Sequence, residues 1–291
     1  MRNISGPILR NKMGANAMEL EGKAIIVTGA GQGIGQATVK KLAERGARVA
    51  AFDLNGDAAR ESITSAGGGD HTAEAVDVSD SVAVRNAVRK ARDAFGRLDG
   101  AVNNAGIGQA PNDGSDAFYA SMAARNDELS RGEAPTTFVD HLIHMEDDGW
   151  RGVMKVNLDG AFFVCRETVR VMAEDGHGGA IVNISSTSAQ SGEGSPHHVT
   201  SKAALIGLTR QLSRELAARN IRVNAVAPGP TDTPIMANVP PEWIASMEAA
   251  VPLGRMASPD EIGSAVAYLL SDGATFVTGS VLVANGGSYM F

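Results

Sequence analysis

Two hydrophobic rhythms alternate along this chain. Short apolar runs read as buried strands, and longer stretches with an apolar residue every third or fourth position read as amphipathic helices. K-A-I-I-V-T-G at 23–29 is the first strand, followed by a helical pattern over 34–45 that stops at Gly46. R-V-A-A-F-D at 48–53 and H-T-A-E-A-V-D-V at 71–78 are the second and third strands, with a polar helix from Gly56 between them. An amphipathic helix over 80–95 leads to L-D-G-A-V-N-N-A-G, a fourth strand ending in a glycine turn. Further on, the pattern predicts helices over 150–172 and 200–217 and strands over 179–186, 221–229 and 280–287. Repeated strand–helix units imply right-handed crossovers and a parallel sheet covered on both faces. The expected fold class is α/β, a doubly wound parallel sheet of about seven strands.

Two stretches interrupt this rhythm. Residues 107–149 are polar and poor in β-branched side chains, and residues 230–258 carry repeated prolines around a segment rich in Met and Ala. Both follow strands at the carboxyl edge of the sheet, where ligands bind in such folds. Long insertions at that edge are usually lids or binding loops. We read 1–19 as an N-terminal extension and 20–291 as a single domain with an insertion at 107–149 and a substrate loop at 230–258.

Composition narrows the function classes. A net charge of −7 without a dense Lys/Arg cluster argues against nucleic acid as a partner. No apolar run approaches the roughly 20 residues of a membrane span, and the N-terminus lacks the apolar core of a secretion signal. Cys165, the single cysteine, sits in an apolar helical run and reads as a buried structural thiol. A reducing cytoplasm is the expected location.

Candidate chemistry begins at T-G-A-G-Q-G-I-G, residues 28–35. A glycine-rich turn directly after a strand and opening a helix is the Rossmann-type dinucleotide pattern. Gly29 permits the tight turn, and Gly33 and Gly35 permit close approach of cofactor and strand. Gln32 and Ile34 complete the segment, whose helix N-terminus offers free N–H groups to a pyrophosphate. Asp53 ends the second strand, where its carboxylate accepts hydrogen bonds from a ribose and repels a 2′-phosphate. Leu54 and Asn55 follow it and Gln32 is uncharged, so no basic residue stands ready for that phosphate. NAD is therefore expected over NADP.

These motifs, with D-V at 77–78, N-N-A-G at 103–106, V-N-L at 156–158, I-V-N-I-S-S at 181–186, S-K-A-A-L at 201–205 and N-A-V-A-P-G at 224–229, closely resemble the short-chain dehydrogenase/reductase pattern. The likeness covers roughly 20–291 apart from the 107–149 insertion. It implies that Asp77 and Val78 contact the adenine, that Asn104 supports the adenosine side and that Pro228 and Thr233 hold the nicotinamide end. Ala105, Gly106, Gly229 and Thr231 are expected to bind the cofactor with them. A homodimer or homotetramer is expected by resemblance alone.

The family works with Asn, Ser, Tyr and Lys. By resemblance Asn157 holds a relay water, Ser186 polarises the substrate oxygen, and Lys202 bonds the nicotinamide ribose and biases the proton donor. Ser185 and Ser188 compete with Ser186, because the loop to the next motif is one residue shorter than usual. Four residues before Lys202, where the family places tyrosine, this chain has His198. None of Tyr119, Tyr268 and Tyr289 aligns there.

Three accounts stay open. His198 is the acid/base, since neutral imidazole accepts protons at pH 7, although it ends roughly 2 Å short of a phenol oxygen and then needs a bridging water. Alternatively, the site binds NAD without efficient turnover. In the third account the proton comes from His197 or Tyr119. No metal site is expected: the tandem His197–His198 lacks companion ligands, and His141 and His144 beside Glu146, Asp147 and Asp148 read as a solvated acidic helix face. The function expected is an NAD-dependent oxidoreductase for a secondary alcohol/ketone pair. Met236, Trp243 and Met247, if they face inward, suggest a mostly apolar substrate.

Overall fold

The computed structural model describes residues 19–290 except 235, 237, 238 and 240, so all but the last residue of the expected 1–19 extension lies outside the described residues. The chain runs β1 (Ala24–Thr28), α1 (Gly33–Ala43), β2 (Arg48–Asp53), α2 (Gly56–Ser65), β3 (Thr72–Ala75), α3 (Ser81–Phe95) and β4 (Gly100–Asn103). There follow α4 (Ser115–Ser130), α5 (Asp147–Met154), α6 (Gly160–Asp175), β5 (Gly179–Ile184), α7 (Ser188–Ser191) and α8 (Pro196–Leu216). The chain closes with β6 (Ile221–Pro228), α9 (Pro241–Ala249), α10 (Pro259–Leu270) and β7 (Val281–Ala284).

All seven expected strands form one sheet, in the order β3-β2-β1-β4-β5-β6-β7. Every neighbouring pair is parallel. All five residues of β1 are buried, the result of covering both faces. On one face Val27 and Val49 pack with Val39 and Leu42 of α1 and Ile262 and Val266 of α10. On the other, Ile26 and Phe52 meet Val84 and Val88 of α3 and Val164 of α6. Each fully buried Val, Ile or Phe contributes roughly 1.5–3 kcal/mol to holding the layers together.

Helix boundaries follow local chemistry. Asp80 caps α3 by accepting hydrogen bonds from the Val82 and Ala83 amides, and Gly96, in the left-handed region, ends it. A capping box between Ser258 and Glu261 starts α10. That Ser-Pro-Asp-Glu signal is legible in the sequence, although no helix is expected there, and the stretch expected as a loop over 230–258 itself carries α9. The helix expected over 150–172 is divided by one π turn at Lys155–Asp159, which carries Asn157. Helix α4 within the 107–149 insertion was not expected. Its only buried residue is Ser115, so no apolar stripe announces it.

Candidate active site

Strands β1 and β4 are neighbours although β2 and β3 lie between them in sequence, so the connections after β1 and β4 leave in opposite directions. The crevice at this switch point is where ligands bind in open α/β sheets. Thr28 ends β1 and joins the two connections. Its hydroxyl accepts from the Asn104 and Ala105 amides, each at 3.1 Å. The Asn104 side-chain amide in turn donates to the carbonyls of Thr28 (3.1 Å) and Gly29 (3.0 Å). Asn104 therefore braces the glycine turn from behind.

The turn itself leaves no room for side chains at Gly29, Gly31 and Gly35. Gly29 has φ +60, and a Cβ there would stand 2.8 Å from the Ala105 Cα. A Cβ on Gly35 would collide with the Gly29 carbonyl oxygen and come within 2.6 Å of the Asn104 amide nitrogen. Gly33 faces Thr233 at the distance of ordinary contact, which brings the 230–258 segment over the turn. Gln32 precedes α1 in an extended conformation without capping it, so the first-turn amides, Ile34 included, need an outside partner. Asp53 accepts from the Gly31 amide (2.8 Å) and the Asn55 amide (2.9 Å), fixing its carboxylate beside the turn, while Leu54 points to solvent. Exposed Asp77 accepts from the Ser79 amide, and Val78 is buried against Gly160. An uncapped helix N-terminus, a backbone cradle without side chains and an adjacent acid together fit a dinucleotide.

At the other end of the crevice Lys202 is buried, and its Nζ donates to the Ile184 carbonyl at 2.8 Å. Burial pushes its pKa down to about 8. Asn157 accepts from the Ile107 amide (2.8 Å) and donates to the Ile107 carbonyl (3.0 Å) and the Ser201 hydroxyl (3.2 Å). A Cβ at Gly106 would lie 3.2 Å from Asn157 Oδ1 and 3.4 Å from Lys202 Nζ. Gly106, Asn157 and Lys202 thus converge. Ser185 is buried with its hydroxyl spent on the Lys202 carbonyl (2.8 Å), whereas Ser186 is half-buried and accepts from the Ser188 amide at 3.1 Å. Pro228 accepts from both the amide and the hydroxyl of Thr187, and Thr231 donates to the Gly229 carbonyl, which orders this end of the crevice.

His198 is half-buried, one helical turn before Lys202 on α8. Burial first, then electrostatic repulsion from Lys202 and the neighbouring His197, push its pKa down to about 4. The imidazole is therefore neutral at pH 7. His197 is completely buried and points elsewhere: Nε2 meets Asp113 Oδ2 and Nδ1 meets the Ser195 hydroxyl, both at 3.0 Å. Tyr119 on α4 is largely exposed, with its ring 6.3 Å from that of Trp243 on α9. That contact joins the two segments that interrupt the strand–helix rhythm. Met236, Trp243 and Met247 are all half-buried.

One sequence expectation needs correction. His141 does not lie on a solvated acidic face: its Nε2 is 2.8 Å from the Asp113 carbonyl oxygen, and its ring stacks on Phe118. Among the described residues, Asp113, His141 and His197 bring ligand-type atoms within 4.8 Å of one another, a grouping the sequence reading missed. Reading His141 with His144 and His197 with His198 concealed it, because the partner each ring finds is distant in sequence. Hydrogen bonds already engage both carboxylate oxygens of Asp113, both ring nitrogens of His197 and Nε2 of His141. Cys165 is the inert thiol expected, bonded to Asn103 and pushed up to about 12 by burial. Two surface cavities, of about 350 Å³ beside residues 109–117 and about 500 Å³ beside Leu253 and Asn285, are not lined by Ser186, His198 or Lys202. The site is assigned on topology and chemistry.

Comparison with known proteins agrees. The family profile described as short chain dehydrogenase matches residues 23–126, and that described as enoyl-(acyl carrier protein) reductase matches 130–289. The chain belongs to the short-chain dehydrogenase/reductase family. It is 35% identical over 273 residues to the 3-oxoacyl-(acyl-carrier-protein) reductase FabG of Thermotoga maritima, covering 93% of this chain and 99% of that one. It is 34% identical to the (3R)-3-hydroxyacyl-CoA dehydrogenase of Canis lupus familiaris, covering 95% of this chain and all of the relative. A crystal structure of a short-chain type dehydrogenase/reductase from Mycobacterium marinum superposes with a TM-score of 0.79 at 29% identity, over 95% of this chain and 99% of that one. The protein is thus an oxidoreductase of a nicotinamide-binding family. No helix among the described residues is long and apolar enough to cross a membrane.

Proposed function

We propose that this enzyme uses NAD(H) to interconvert a secondary alcohol and its ketone. The observation that carries this reading is the convergence of Gly106, Asn157 and Lys202, with His198 one helical turn away and the glycine turn at the other end of the crevice. The two relatives named above, a 3-oxoacyl reductase and a 3-hydroxyacyl dehydrogenase, act on this type of pair, which supports the substrate class. Half-buried Met236, Trp243 and Met247 favour a mostly apolar substrate. Asp53 supports NAD, because its carboxylate repels a 2′-phosphate and no basic residue adjoins it.

Gly29, Gln32, Gly33, Ile34 and Gly35 would hold the pyrophosphate and Asp53 the adenosine ribose. Asp77, Val78, Asn104 and Ala105 would flank the adenine side, and Pro228, Gly229, Thr231 and Thr233 the nicotinamide side. When bound, the nicotinamide supplies or accepts the hydride. Ser186 donates a hydrogen bond to the substrate oxygen. His198, neutral at pH 7, takes the alcohol proton directly or through one water. Lys202, charged below about pH 8, makes that oxygen more acidic, and Asn157 links the relay to the backbone at Ile107.

We place the enzyme in the cytoplasm as a homodimer or homotetramer. A buried lone thiol and a partly exposed Phe162 on α6 support that assignment. The test is NAD(H) binding followed by nicotinamide absorbance across alcohols and ketones that include 3-hydroxyacyl and 3-oxoacyl thioesters. Substrate-dependent absorbance change is the expected result. Tight NAD(H) binding with no change anywhere in that panel would instead establish a cofactor-binding protein without turnover.

A further inference from the structure

The Asp113–His197 contact has no part in the chemistry above, yet it spans 84 residues in complete burial. Asp113 lies at the start of the 107–149 insertion. It accepts from the Ala110 amide (3.0 Å) and the Ser115 amide (2.9 Å) and meets His197 with the oxygen that Ala110 also uses. Burial opposes its charge, but the bonds from Ser115, Ala110 and His197 outweigh that and hold the acid below its usual range. An ionised carboxylate only accepts, so His197 carries its proton on Nε2 and, when neutral, accepts at Nδ1 from Ser195. Ser195 immediately precedes α8, His197 lies in the first turn of that helix, and His198 is the next residue.

The insertion closes on the same point from its far end. His141 meets the Asp113 carbonyl oxygen, and the Glu146 amide donates to the Asn112 carbonyl at 2.9 Å. A Cβ at Gly114 would press on His144 and His141 backbone atoms at 2.9 and 3.0 Å, so the two ends pack backbone to backbone. Both ends of the insertion therefore meet at the backbone around Asp113, whose buried carboxylate in turn reaches one imidazole of the catalytic helix.

We propose that Asp113 and His197 form a buried latch that holds the insertion against the first turn of α8 and so keeps His198 in a water-poor position. Both are positioning residues; neither touches the reacting atoms. The proposal rests on the functional reading above only in giving His198 a task, and its test needs no turnover.

The sign of one measurement separates the latch from simple electrostatics. The groups acting on His198 are Lys202 and His197, both of which lower its pKa. Removing the negative charge of Asp113 would by charge alone lower it further. Opening the insertion to water would raise it, because burial is the largest cause of the depression. In Asp113→Asn, followed by NMR titration of the His198 imidazole, the latch predicts a rise of at least one pH unit from about 4. Protease cleavage within 107–149 should accelerate at least tenfold in Asp113→Asn and in His197→Leu. The double variant should be no faster than either, since the two act as one unit. His197→Gln, which keeps a donor for Asp113, should recover much of the protection, and NAD binding should stay within twofold throughout. A falling or unchanged His198 midpoint, or cleavage effects that add in the double variant, would overturn the latch. If Asp113→Asn does not fold, the contrast between His197→Leu and His197→Gln decides: equal cleavage rates refute it. Absence of redox activity would leave both readouts standing, so the two readings fail separately.

Discussion

The two ends of the crevice are made from different materials. At the cofactor end, glycines clear the backbone, an uncapped helix N-terminus supplies amides, and Asp53 reaches the Gly31 amide across 22 residues. At the catalytic end, side chains reach across long separations: Asn157 to the backbone of Ile107 across 50 residues and His197 to the carboxylate of Asp113 across 84. A site built from backbone offers little to change without losing the turn. A site built from side chains can exchange one group for another. The comparison predicts that cofactor binding and proton chemistry can be altered separately in this protein.

The sharpest way to break that separation is His198→Ala. General acid–base catalysis is worth about 10²–10⁴-fold, so turnover should fall on that scale while NAD affinity, read by titration, stays within twofold. A matching loss of NAD binding would show that the two ends are not independent. In the wild type, alcohol oxidation should decline above about pH 8 as Lys202 loses its charge, and below about pH 4 as His198 gains one. His198→Tyr should retain or raise turnover and carry ketone reduction to higher pH, because a phenol keeps its proton longer.

The same imidazole should leave a mark on stability. In the unfolded chain it takes a proton near its ordinary value of 6.5, whereas folding keeps it neutral down to about 4. Its contribution is therefore intact above about pH 6.5 and is lost as pH falls towards 4, amounting to roughly 3 kcal/mol. Urea unfolding at pH 7 and pH 4 should show a smaller acid loss in His198→Gln than in wild type. An identical loss would mean that the imidazole is freely hydrated.

At the cofactor end, Gly35→Ala drives a methyl group into the Gly29 carbonyl oxygen. Overpacking of this kind costs about 1–3 kcal/mol, so unfolding should shift by that much and NAD binding should weaken with it. The smallest effect belongs to Asp53. NAD(H) should bind at least tenfold more tightly than NADP(H), about 1.4 kcal/mol, and Asp53→Ala should narrow the gap. Equal or tighter NADP(H) binding by the wild type would remove Asp53 from cofactor choice.

Much of the architecture was legible because it is written in local period. The seven strands, α1 to α3 and α8 follow from apolar spacing and glycine stops, and the glycine turn from its place between strand and helix. Helix α4 was not legible, since a helix that buries only Ser115 has no apolar stripe to show. Helix α10 had its capping box in plain view but sat behind a proline-rich stretch. Ser185 and Ser186 are adjacent and alike in the sequence, and only tertiary packing engages the Ser185 hydroxyl with the Lys202 carbonyl.

Sequence by itself determined the α/β class, the glycine cradle, the acid after β2 and the presence of histidine one turn before Lys202. Each of these depends on residues close together in the chain, where backbone geometry restricts what a given spacing can do. Tertiary structure decided what surrounds that histidine: the burial that keeps it neutral, the Asp113 that draws His197 away, and the meeting of Tyr119 with Trp243. Those contacts join segments that carry no mutual pattern in the sequence. They exist because packing the insertion and α9 onto the carboxyl edge of the sheet places distant side chains within a few ångströms, where burial and charge then fix their chemistry.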